Sequence, residues 1–102
     1  MSKRLPRLEY ENEFRQWLIV VSNMNQVVVN NCLSRCRSVA QLIDDNILSL
    51  IINKQEKIIF ERIDSYANSE ASTKQMAYSI KGMLRYSVKK YIAFIQSKNF
   101  KE

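Results

Sequence analysis

The stretch Val27-Val28-Val29-Asn30-Asn31-Cys32-Leu33-Ser34-Arg35-Cys36-Arg37-Ser38-Val39-Ala40-Gln41-Leu42-Ile43 decides how this chain of 102 residues folds. Its three leading valines, read alone, suggest a β-strand, because β-branched side chains favour extended backbone. At about 100° per residue, however, Val28, Val29, Cys32, Leu33, Cys36, Val39, Ala40 and Ile43 fall on one helical face. A period sustained over the whole stretch outweighs three residues, and Asn25 just ahead of it is a good N-cap.

The same period extends in both directions. Tyr10, Phe14, Trp17, Leu18 and Val21 mark a first helix over Glu9 to Val21, with Glu9, Glu11 and Glu13 at the positive end of its dipole. Asp44-Asp45-Asn46 stops the second helix and offers caps to a third. That third helix reads as broken near Asn53: a short piece from Ile47 to Ile52, then Glu56 to Ala67 with Ile59, Ile63, Tyr66 and Ala67 on one side. Ser72-Thr73-Lys74-Gln75 has the form of a capping box and opens a fourth helix, whose core face is Met76, Ala77, Ile80, Met83, Leu84, Val88, Tyr91 and Ile95. One Gly and one Pro leave little for β-turns, so the fold class expected is all-α. The expected layout is a flexible basic leader over residues 1–8, one helical bundle over 9–97 and a tail over 98–102.

Several function classes drop out on composition. The absence of His removes the commonest general base and metal ligand, and no nucleophile and base pair can be named. Cys32 and Cys36 alone supply neither a zinc shell nor a well-oriented disulfide, and read as buried, inert thiols. The expectation is a non-enzyme without metal, cofactor or small-molecule substrate. The longest strictly apolar run, Trp17 to Val21, is far too short to cross a bilayer, and Pro6, Arg7, Glu9 and Glu11 stand where a signal peptide would be apolar. No membrane partner and a cytoplasmic location are expected.

Charge is the informative feature. The formal net charge is +6, from 16 Lys and Arg against 10 Asp and Glu. Residues 14–43 carry Arg15, Arg35 and Arg37 with no acid, residues 44–70 have an acidic excess, and residues 71–101 carry seven basic groups and no acid. On the fourth helix Lys74, Tyr78, Lys81, Arg85 and Lys89 share an arc of about 80° and form a basic ridge. Gly82 on its flank either lets a phosphate approach the backbone or simply weakens the helix by about 1 kcal/mol relative to Ala. On the second helix Gln26, Asn30, Ser34, Arg37 and Gln41 form a polar line of a kind that can reach phosphates or base edges. Lys3-Arg4-Leu5-Pro6-Arg7 reads either as a minor-groove arm or as a frayed terminus. Trp17 and Phe14 read as core anchors.

Phe14-Arg15-Gln16-Trp17-Leu18, the run from Val28 to Arg37, the run from Tyr78 to Tyr86 and Tyr91-Ile92-Ala93-Phe94-Ile95 together resemble the N-terminal core-binding domain of tyrosine recombinases and phage integrases. The likeness spans about residues 9–97. It implies a four-helix SAM-like bundle whose second and fourth helices face duplex DNA, and a connection with recombination and mobile elements. It would make Asn30, Ser34, Arg35, Arg37, Lys74, Lys81, Arg85 and Lys89 the DNA-facing residues. The family's catalytic domain uses Arg, Lys and His around a nucleophilic Tyr; with no His here, the expectation is a binding module, either part of a longer protein or free-standing. The alternative is a small regulator or inhibitor that docks its ridge on an acidic protein surface. The DNA-binding reading requires Lys81 and Arg85 to be exposed and to share a face with the polar line of the second helix.

Overall fold

In the computed structural model, residues 8–43 and 47–98 are described. All their regular structure is helical: α1 (Glu11–Val20), α2 (Gln26–Ile43), α3 (Ile47–Ile52), α4 (Glu56–Glu70) and α5 (Lys74–Lys98). The expected fourth helix is thus α5, and the expected broken third helix is the pair α3 and α4. The leader motif at residues 3–7, the caps at 44–46 and most of the tail lie outside the described residues.

Each helix end has an identifiable cause. Before α1, Tyr10 adopts a left-handed conformation (φ 58°), so the helix begins two residues later than Glu9 and Tyr10 is exposed instead of lying on the apolar stripe. Val21 caps the other end through its N–H on the Trp17 carbonyl and also faces solvent. Asn25 caps α2 as expected, its Oδ1 accepting the Val28 N–H at 2.9 Å. The break after α3 is a Schellman turn: the Gln55 N–H reaches the Leu50 carbonyl at 2.7 Å and the Lys54 N–H reaches Ile51 at 3.1 Å. At α5 the cap is Thr73, one residue beyond the expected Ser72, because the Thr73 hydroxyl accepts the Met76 N–H at 3.1 Å while Ser72 Oγ turns to Met76 Sδ.

One core cluster draws on every helix, including Phe14 and Leu18 of α1, Val29 to Ala40 of α2, Leu50 of α3, Ile63 of α4 and Leu84 to Ile95 of α5. Leu8, assigned to the flexible leader from sequence, is only 4% exposed and belongs to this core. Met76 and Met83, expected in the core, are about half exposed, and Met83 lines an open concavity with Leu42 of α2 and Tyr66 of α4 instead of being covered by either helix. Phe14 meets Tyr91 edge-on at 5.1 Å and Phe94 at 5.2 Å, with Trp17 beside them. The Tyr91 hydroxyl donates to the Glu9 carbonyl at 2.8 Å, tying the chain ahead of α1 to α5, and burial pushes that phenol far above its ordinary range. Among the described residues, no helix is long and apolar enough to cross a membrane.

Candidate nucleic-acid interface

The eight residues expected to face DNA divide between two sides of the bundle. On α2, Asn30 is exposed and its Oδ1 accepts the Arg15 Nη1 donor at 2.8 Å. Arg37 makes a bidentate pair with Glu11, Nε to Oε1 at 2.9 Å and Nη2 to Oε2. Both therefore face α1. Ser34 is exposed, and its carbonyl accepts the Ser38 hydroxyl at 3.1 Å. Arg35 points the other way and lines an apolar concavity of about 410 Å³ with Leu42, Tyr66, Ile80 and Met83.

On α5, Lys74 and Lys89 are exposed, whereas Lys81 and Arg85 are half-buried. Arg85 clamps α5 to α4: Nε and Nη2 donate to the two Asp64 oxygens at 3.0 and 2.6 Å, and the guanidinium lies 5.3 Å from the Phe60 ring centre. The ridge and the polar line of α2 are anchored on different helices, since Asn30 and Arg37 bond to Arg15 and Glu11 of α1 whereas Arg85 bonds to Asp64 of α4. Charge counting could not foresee this, because Glu11 and Asp64 are remote in sequence from the arginines they satisfy.

Those two pairs also set the local electrostatics. The hydrogen bonds from Arg37 hold Glu11 below the usual carboxylate range, and those from Arg85, supported by the charge of Lys81, do the same for Asp64. Lys81 and Lys89 remain beside a neutralised Arg85–Asp64 pair, so the strip keeps a positive excess. Lys81, Arg85 and Lys89 line one shallow concavity of about 540 Å³ with Asp64, Tyr78, Gly82 and Tyr86. Lys90, which the sequence reading did not single out, places its ammonium 5.6 Å from the Tyr86 ring centre. The i, i+4 spacing of Tyr86 and Lys90 was a usable signal for that contact.

The thiols sit elsewhere. Cys32 and Cys36 are buried and both face the Ser87 carbonyl, with Cys36 Sγ at 3.3 Å. Its hydrogen bond to Cys32, together with burial, pushes the Cys36 thiol well up, away from the reactive thiolate form. Among the described residues, no group of three or more His, Cys, Asp or Glu could hold a metal ion. The α5 strip is suited to holding an anion and an aromatic ring. No protein-family model, curated protein or solved structure matches the chain.

Proposed function

We propose that this chain is a DNA-binding module, SAM-like in the manner of tyrosine recombinase core-binding domains. It grips duplex DNA in the cytoplasm, chiefly through phosphates, and has no catalytic activity of its own. The observation that carries the proposal is the α5 strip, where Lys74, Lys81 and Lys89 follow one another along a helix that contains no acid and whose neighbouring Asp64 is already taken by Arg85. Ammonium groups in such a row bind a polyanion by releasing its counterions, so log K should fall by about 0.9 per log salt for each phosphate neutralised.

The test is the variant K74E/K81E/K89E, titrated by fluorescence anisotropy against random duplex at two salt concentrations. Arg85 is left in place because its reversal would set two carboxylates against each other across α4 and α5. The expected result is loss of binding, with a smaller salt slope for any that remains and an unchanged far-ultraviolet circular dichroism spectrum. Unchanged affinity for duplex overturns the proposal.

The acid-free row of Lys74, Lys81 and Lys89 equally supports a second reading, a small regulator or inhibitor that docks this ridge on an acidic protein surface. Recovery of one stoichiometric partner that survives nuclease treatment, and is lost in the same variant, would select it.

A further inference from the structure

Residues 78, 82 and 86 stand above one another on α5, at i, i+4 and i+8, on a face that neither α2 nor α4 covers. Tyr78 is 79% exposed and Tyr86 50% exposed, the largest display of aromatic surface on that helix. Gly82 lies between them. A Cβ there would meet nothing within 4 Å, and the residue has no positive φ, so neither packing nor backbone conformation requires glycine. Glycine is nonetheless the poorest helix former apart from proline. What its missing side chain provides is room: a slot floored by bare backbone between two rings whose Cα atoms lie about 12 Å apart along the axis.

The slot lies within the basic strip. Lys81, Arg85 and Lys89 line the same concavity, and the carboxylate of Asp64, also in its lining, has both oxygens taken by Arg85. A duplex keeps its bases stacked and presents phosphates to such a surface, leaving the two tyrosine rings without a ring partner. An unpaired strand offers base faces as well, and base-on-aromatic stacking beside cationic groups is how sequence-tolerant single-strand sites are built.

We infer that the slot over Gly82 takes a segment of single-stranded nucleic acid, with a base seated between Tyr78 and Tyr86 and the flanking phosphates on Lys81 and Lys89. This rests on the DNA-binding reading of α5 and specifies the form of strand that its aromatic portion recognises.

The experiment measures anisotropy of labelled oligo(dT) and of a random duplex, each about 20 nucleotides long, at low salt. The proteins are wild type, Y78L/Y86L, G82L and K81E/K89E, with circular dichroism confirming the helix content of each. The expected result is a loss of roughly tenfold or more on oligo(dT) for both Y78L/Y86L and G82L, with duplex affinity within about twofold of wild type. K81E/K89E should lose both ligands. Wild-type affinity of Y78L/Y86L for oligo(dT), or an equal loss on the two probes, overturns the slot while leaving phosphate binding intact. Undiminished duplex binding by K81E/K89E, or no binding of either probe by wild type, overturns the DNA reading and the slot with it.

Discussion

Lys54 occupies the left-handed position of the turn between α3 and α4, with φ of 59°. A side chain in that region crowds the following carbonyl, at a cost of about 1–2 kcal/mol, which glycine does not incur. The turn's two hydrogen bonds come from the backbone N–H groups of Lys54 and Gln55, so they do not depend on the lysine side chain. K54G should therefore stabilise the fold by about 0.5–1 kcal/mol after glycine's larger unfolded-state entropy is subtracted. A thermal melt followed by circular dichroism should show Tm rising by roughly 2–8 °C; an unchanged or lower Tm would contradict this reading of the turn. Asn23, also left-handed at φ 55°, carries no such penalty to relieve, since Asn tolerates the region well.

At the scale of elements, two arginine–carboxylate pairs join neighbouring helices: Arg37–Glu11 between α1 and α2, and Arg85–Asp64 between α4 and α5. Both carboxyl groups have pKa values below their ordinary ones because they accept hydrogen bonds from guanidinium. A carboxyl whose folded pKa is depressed contributes stability that is complete above its unfolded value and is lost as pH falls through the folded value. Urea melts should thus show stability decreasing below about pH 4. E11Q/D64N should be less stable than wild type at pH 7, with a shallower further decrease on the way to pH 3; parallel acid limbs in the two proteins would show that neither pair titrates with folding. The α5 ridge belongs to this scale as well. Helical spacing puts Lys81 and Arg85 on one arc, and the approach of α4 leaves both half-buried.

For the whole molecule, the decisive feature is a single core that includes residues of all five helices. Phe14 is fully buried and joins α1 to Tyr91 and Phe94 of α5. F14A should lower unfolding free energy by about 3–5 kcal/mol, a large part of the stability of a domain this size. Because no helix has a core of its own, circular dichroism and Trp17 fluorescence should still report one coincident transition. Two separated transitions would mean that α1 unfolds independently.

Local periodicity carried most of the fold. The helices, the break near Asn53 and the Asn25 cap all depend on side-chain spacing and capping chemistry within a few residues, which is information held along the chain. The concentration of basic groups on the last helix was equally legible, because charge is additive in sequence. The pairing of those charges was not. Arg37 meets Glu11 across 26 positions and Arg85 meets Asp64 across 21, so only the packing of α1 on α2 and of α4 on α5 determines which cations are neutralised. The burial of Leu8 and the half-exposure of Met76 and Met83 follow from the same packing. Sequence by itself determined an all-α chain with an acid-free, basic last helix. Tertiary structure decided which part of that helix stays open, because neighbouring helices cover one side of it and leave Tyr78, Gly82, Tyr86 and Lys89 facing solvent.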